Sequence, residues 1–173
     1  IRGAESNQTL VLIDGVEVNS GTDGFFDFAN LTVDDIAQIE VLRGPQSGLY
    51  SSGALGGVIN IITRSGKGPL TLRARAEGGS FGTRDATVGV SGGTDQAHAS
   101  LTVSGLKTNG FDISDAGTED DGGELRTLSF RGGVLVLPNL KIDGTLRVSH
   151  RDGDRDGTND IRDGLFVASE ERS

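Results

Sequence analysis

The residues best equipped for chemistry in this chain are carboxylates. From Asp152 to Asp163 it reads Asp-Gly-Asp-Arg-Asp-Gly-Thr-Asn-Asp-Ile-Arg-Asp, with oxygen ligands at the first, third, fifth, ninth and twelfth positions and glycine at the sixth. That is the spacing of a calcium loop, in which a hard cation gathers several oxygens and the glycine permits the sharp turn between them. A second acidic stretch, Asn109–Glu124, carries Asp112, Asp115, Glu119, Asp120, Asp121 and Glu124. An independent EF-hand is not expected. Asp163 stands where glutamate is usual, Asn159 where an apolar residue is usual, and a strand pattern leads into the loop where a helix is required. The competing reading of both stretches is a pair of solvated acidic loops.

Other chemistries lack their parts. With no cysteine there are no disulfides, thiolate metal sites or thiol nucleophiles, and His98 and His150 are too few for a multi-histidine centre. No nucleophile elbow, Walker loop or dinucleotide fingerprint is present, so an enzyme is not expected. Twenty-five acids against sixteen bases give −9, the wrong sign for binding nucleic acid through its phosphates. No apolar run approaches the roughly 18 residues that a membrane-spanning helix requires. Twenty-eight glycines without tryptophan or methionine describe either a disordered chain or one that handles apolar surface unusually. The regularity of the pattern decides against disorder. The chain begins at Ile1, and we read it as an internal piece of something longer.

The elements follow two different rules. Up to residue 68 the chain reads as a mixed segment. Leu10–Ile13 is a continuous apolar strand ending in the turn dipeptide Asp14-Gly15, and Leu31–Ile36 looks like a short helix start with Thr32 as its cap. Ile39–Leu42 is a strand broken by Arg43-Gly44-Pro45, and Val58–Thr63 is another, preceded by a glycine-rich stretch ending in Gly56-Gly57. Arg64–Pro69 has linker chemistry, so the domains are placed at 1–68 and 69–173. Beyond it the rule is alternation with a period of two. Leu70, Leu72, Ala74 and Ala76 begin a series of five strands, continued by Ala86–Val90, Ala97–Gly105, Leu128–Val136 and Leu140–Val148. Each is close to the 9–11 residues of a tilted strand crossing a bilayer.

Alternation by itself suits a soluble antiparallel sheet with one face on a core. Two features favour a membrane barrel. The apolar faces are built from Ala, Gly and Val more than from large aromatics, and the connections alternate short and long, as periplasmic turns and external loops do. Arg73, Arg75, Glu77, Lys141 and Arg147 then belong to the inner wall. The fold class is mainly β: an α+β segment followed by antiparallel barrel strands that are too few to close.

Four stretches carry a resemblance. They are Ile1-Arg2-Gly3, Leu10–Val16, Ile39–Pro45, and Ser47–Thr63 with its Ser-Gly-Ala-Leu-Gly-Gly-Val-Ile-Asn-Ile-Ile-Thr ending. In order and spacing they resemble the plug domain of TonB-dependent outer-membrane receptors, and Ser51 is a departure where that family commonly has glycine. The plug-motif residues are Asp14, Gly15, Arg43, Gly44, Pro45, Gly56 and Gly57. Arg43 and Glu40 are expected to form a structural ion pair.

The resemblance implies a place in the outer membrane of a Gram-negative type bacterium. It also implies uptake of a scarce solute, such as a ferric siderophore, haem or cobalamin, without breaking a bond in it. The partners would be membrane lipid, the solute, and the TonB energy-coupling complex acting through a segment ahead of Ile1. Solute contacts are expected at Glu5, Asp23 and Gly24. No cofactor is required, but calcium shared between external loops, as in cobalamin-type receptors, would draw on Asp112, Glu119, Asp121, Asp152, Asp154 and Asp156. The alternative function is a soluble calcium-binding β-sheet adhesin.

Overall fold

The computed structural model describes residues 3–50, 53–110 and 122–153, together with the backbone of 162–167. The chain is mainly β, and among the described residues the only helical turns are two 3-10 turns, Ser6–Gln8 and Phe28–Asn30. It divides into two compact units, Ile1–Arg64 and Ser65–Ser173.

The first unit is a four-stranded sheet of β1 (Thr9–Ile13), β2 (Val16–Glu17), β3 (Ile36–Arg43) and β4 (Gly57–Thr63), in the order β2-β1-β4-β3. β1 and β4 are parallel, with Thr9 opposite Gly57 and Ile13 opposite Ile61. Both are interior strands, which is why their sequences are mostly apolar without period-two alternation. Every residue of β1 is buried, and Leu10 and Leu12 pack with Ala54, Val58 and the partly buried Leu42. β3 closes the other edge antiparallel to β4, starting at Ile36 and including Arg43.

Two expectations for this unit need correction. Leu31–Ile36 does not begin a helix. Residues 33–36 form a turn, with the Ile36 amide donating to the Val33 carbonyl at 3.1 Å, and Ile36 already belongs to β3. A helix nucleus must fix several residues before it gains hydrogen bonds, and β3 leaves no length over which to recover that cost. Nor do Glu40 and Arg43 pair. Residues three apart on a strand point to opposite faces. Glu40 lies opposite Asn60 and accepts hydrogen bonds from Asn60 Nδ2 at 3.0 Å and Gln38 Nε2 at 2.8 Å, while Arg43 is exposed.

The second unit is one antiparallel sheet in sequence order: β5 (Gly68–Gly78), β6 (Arg84–Gly93), β7 (Ala97–Thr108), β8 (Gly123–Leu137), β9 (Leu140–Gly153) and β10 (Arg162–Val167). β10 is a sixth strand that alternation did not reveal. It pairs Arg162 with Arg151 and Asp163 with His150, so both ends of the stretch with calcium-loop spacing lie in strands and 154–161 connect them. The short connections Thr94–Gln96 and Pro138-Asn139 share one end of the sheet. Residues 79–83, 109–122 and 154–161 connect strands at the other end.

Register places the two kinds of residue in separate rows. Leu72, Val90, Leu101, Phe130 and Leu146 lie opposite one another across five strands, and the next row reads Arg73, Gly89, Thr102, Ser129 and Arg147. On β6–β9 the polar rows are the covered ones, while Arg73, Arg75 and Glu77 of the edge strand β5 are exposed. Thr87, Ser91, Ser100, Thr102, Ser104, Thr127, Ser129 and Arg147 are buried, whereas Val88 is 55% and Val103 51% exposed. A soluble sheet would cover its apolar face. This sheet leaves it bare, as a barrel wall facing hydrocarbon does.

Candidate functional site

The expected solute contacts lie in two short segments of the first unit that come together at the N-terminal end of β1. One is the 3-10 turn Ser6–Gln8, where the Glu5 amide donates to Gln8 Oε1 at 3.3 Å and the Gln8 amide to the Glu5 carbonyl at 3.0 Å, with Glu5 left exposed. The other is the loop from Asn19 to Phe28. Its tip closes through the Gly24 amide on the Ser20 carbonyl at 2.9 Å and the Ser20 amide on the Phe25 carbonyl at 2.7 Å. Asp23 Oδ1 accepts from the Phe25 amide at 3.1 Å, which orients its exposed carboxylate.

Gly24 is required twice over. Its φ is +73°, in the region that favours glycine, and a Cβ there would lie 3.2 Å from Asn7 Cβ. That close approach seats the Asp23 loop on the turn that carries Glu5. Phe25 is 45% exposed beside Asp23, and the rings of Phe26 and Phe28 meet edge to face with centroids 4.9 Å apart. The segment thus presents acids and aromatic surface side by side.

Asn19 holds the loop in place, a role that sequence reasoning missed. Its Oδ1 accepts from the Val11 amide at 2.7 Å, and its Nδ2 donates to the carbonyls of Thr9 at 3.0 Å and Gly24 at 2.8 Å. β2 is only two residues long, so it leaves the start of β1 without a strand partner on that side. The Asn19 amide supplies that missing pairing and fastens the loop tip with the same group. The available signal was an asparagine separated by one residue from a very short strand, which propensity alone reads as loop.

The plug-motif residues have separate duties. Asp14 (φ +51°) and Gly15 (φ +84°) make the two-residue hairpin turn joining β1 to β2, whose geometry needs positive φ at both positions. Gly44 (φ +93°) ends β3 ahead of Pro45, its amide on the Gly56 carbonyl at 3.3 Å. A Cβ on Gly56 would come within 2.5 Å of Ala4 Cβ, and its amide donates to the Gln8 carbonyl at 2.7 Å. Gly57, at φ +142°, then opens β4 beside Thr9.

On the polar face of the second unit, Arg73 Nη1 donates to Ser91 Oγ at 3.2 Å, Arg75 pairs with Glu77, and Lys141 pairs with Asp143. His98 lies on that face, its Nε2 3.6 Å from Asp143 Oδ1. Gly133 makes room for this cluster, because a Cβ there would run into Asp143 Oδ1 and His98 Cε1. The cluster is polar structure within the wall.

Of the calcium candidates, Asp112, Glu119, Asp121, Asp154 and Asp156 lie outside the described residues. Asp152 is at the end of β9, with Oδ2 3.3 Å from His150 Nε2. Among the described residues no group of three or more histidines and acids is placed to hold a metal ion.

A plug-type sheet and a wall of strands with its polar side covered and its apolar side bare are parts of an outer-membrane β-barrel protein. Comparison with known proteins agrees. The TonB-dependent Receptor Plug Domain matches residues 1–58. The vitamin B12 transporter BtuB of Photobacterium profundum is 34% identical over 161 residues, covering 90% of this chain and 26% of that protein. Among solved structures, the siderophore receptor PirA from Acinetobacter baumannii aligns with a TM-score of 0.71 at 26% identity over 91% of this chain and 26% of that one. PirA from Pseudomonas aeruginosa aligns at 0.66 and 31% identity, over 89% and 28%. Over residues 1–58 and beyond, the chain is thus similar to TonB-dependent receptors, which are proteins of the Gram-negative outer membrane. It spans little more than a quarter of the length of these relatives.

Proposed function

We propose that this chain works in a receptor that imports a scarce solute across the outer membrane, with the first unit as the plug and β5–β10 as part of the wall. No bond in the solute is made or broken. Release inward follows when the TonB complex draws on the plug through a segment outside this chain. The end of the sheet at which β7 passes to β8 and β9 to β10 is the outward one.

One observation carries the reading: the Asn19-held loop and the Glu5 turn are seated together and present Asp23 and Phe25 to solvent. It also bears on the solute. The exposed charges of the two segments are Glu5, Asp23 and Asp27, all acidic, beside exposed phenylalanine. Such a surface repels a polyanionic ferric chelate and suits an uncharged or cationic amphipathic solute. Cobalamin fits that description, and the similarity to a vitamin B12 transporter supports the same choice.

The test is equilibrium binding to the full-length receptor with cyanocobalamin and with a ferric tris-catecholate. Cobalamin should bind the more tightly, and Asp23→Lys should narrow the difference by improving the catecholate. Preference for the catecholate in the unaltered receptor would reject the solute assignment. Failure of the receptor gene to restore growth of a receptor-deficient strain on any limiting iron or cobalamin source would reject import itself.

Calcium in the outward loops belongs to this proposal, on the strength of the Asp-Gly spacing alone. Solute affinity should fall when calcium is chelated at fixed ionic strength, and Asp121→Ala with Asp156→Ala should remove that dependence. An affinity indifferent to chelator would remove calcium from the proposal.

A further inference from the structure

A concavity opens on the bare apolar face of the second unit. It is an open groove of about 680 Å³ floored by Ala86, Val88, Val103, Leu128 and Val148. At one end the apolar rows give way to a charged one. There Arg84 on β6 lies directly opposite Lys107 on β7, and Lys107 lies opposite Glu124 on β8. Two rows along are Arg126 and His150, also opposite each other.

These charges are unevenly satisfied. Glu124 is engaged with Arg126 on its own strand, and His150 Nε2 is 3.3 Å from Asp152. The neighbour of Arg84 on β5 is Gly78, which offers no side chain, and Asp85 points to the opposite face. Arg84 and Lys107 are exposed, and among the described residues the side chain of neither forms a hydrogen bond or ion pair. Like charges directly opposite on neighbouring strands are destabilising. Two cations in register at the rim of an apolar groove suit an anion that carries hydrocarbon.

We propose that this groove holds a phosphorylated membrane lipid, its phosphate bridging Arg84 and Lys107 and an acyl chain lying along Ala86, Val88, Val103 and Leu128. The complementarity is of both kinds, charge at the rim and hydrocarbon on the floor. Arg84 offers a planar fork to phosphate oxygens and Lys107 a point charge. The lipid is a wall ligand, in the leaflet level with the long connections, and its binding does not depend on which solute is imported.

The experiment uses the full-length receptor in mixed micelles and counts retained lipid by native mass spectrometry. The probes are phosphatidic acid and a diacylglycerol with the same chains. Phosphatidic acid should be retained and diacylglycerol lost. Arg84→Ser with Lys107→Ser should weaken retention about thirtyfold, taking about 1 kcal/mol per basic residue at a lipid surface and 1.4 kcal/mol per tenfold. Arg84→Lys with Lys107→Arg should preserve it, as should Lys67→Ser, which removes a cation already paired with Asp95. Folding is checked by heat-modifiable gel mobility, and if the double variant does not fold, Lys107→Ser alone should show about a fivefold loss. Equal retention of both lipids, undiminished retention in the serine variants, or full displacement by millimolar inorganic phosphate would overturn the assignment.

Discussion

The carboxylate of Asp14 grips Thr63 across 49 residues of sequence, accepting from its amide on Oδ1 at 2.9 Å and from its hydroxyl on Oδ2. The Asp14 amide itself donates to the Ile61 carbonyl at 2.9 Å. A hairpin-turn residue therefore also fastens the C-terminal end of β4, the last strand of the plug sheet.

Asp14→Ala should loosen β4 by about 2–3 kcal/mol, since it removes charge-assisted hydrogen bonds from a partly buried site. It also places alanine at positive φ, where asparagine would be tolerated. Hydrogen exchange in the full-length receptor should show faster exchange at the Ile61 and Thr63 amides, with Asp14→Asn intermediate. Unchanged protection at both amides would show that the grip contributes nothing.

The bare apolar face leads to a depth rule. Leu101 sits in the middle of its row series, whereas Ala86 lies beside the charged rim. Leu101→Arg should cost about 2–4 kcal/mol and Ala86→Arg about 0–1 kcal/mol, the dependence on depth of a cation on a barrel's lipid face. Urea titration of refolding into vesicles measures both. Thr87 and Thr102 are unsuitable controls because both are buried, so arginine there would also overfill the wall. Equal costs at Leu101 and Ala86 would contradict a lipid-facing surface.

Facing can be read residue by residue. Cysteines placed singly at Ser100, Leu101, Thr102 and Val103 in the reconstituted receptor should react alternately with a maleimide dissolved in lipid. Leu101 and Val103 should label, while Ser100 and Thr102, at 7% and 9% exposure, should not. Uniform labelling across the four would mean that neither face is covered in the assembled wall.

The Asp23 loop depends on Asn19 and Gly24. Gly24→Ala forces a side chain into the left-handed region and against Asn7, at a cost of about 1 kcal/mol or more. Asn19→Ala removes three hydrogen bonds from the base of the loop. Both should weaken solute binding severalfold and leave the heat-modifiable mobility of the barrel unchanged. Binding unaffected by both would separate this loop from the solute site.

Period-two alternation made the wall strands legible, because side chains on a strand point alternately to its two faces and any one-sided sheet must record that in sequence. The last plug strand and the glycine-rich approach to it were legible for a related reason. At Gly44, Gly56 and Gly57 the chain demands positive φ or contact closer than a Cβ allows, and few sequences can meet that demand. β10 escaped notice because its alternation is brief and begins with Arg162 and Asp163, whose types suggested a loop. Pairing with β9 overrides that preference.

Alternation says that two faces differ, but not which one is covered; that was a property of the folded sheet, where Thr102 is hidden and Leu101 is not. Partner choice was equally a tertiary matter. Glu40 takes Asn60 and not Arg43 because strand geometry turns residues three apart away from each other, and Asp14 finds Thr63 because parallel pairing brings the ends of β1 and β4 side by side. Local residue types determined the wall strands, the turns and the division of each wall strand into two unlike faces. Contacts between residues distant in sequence depend on register, and register exists only once the strands have met.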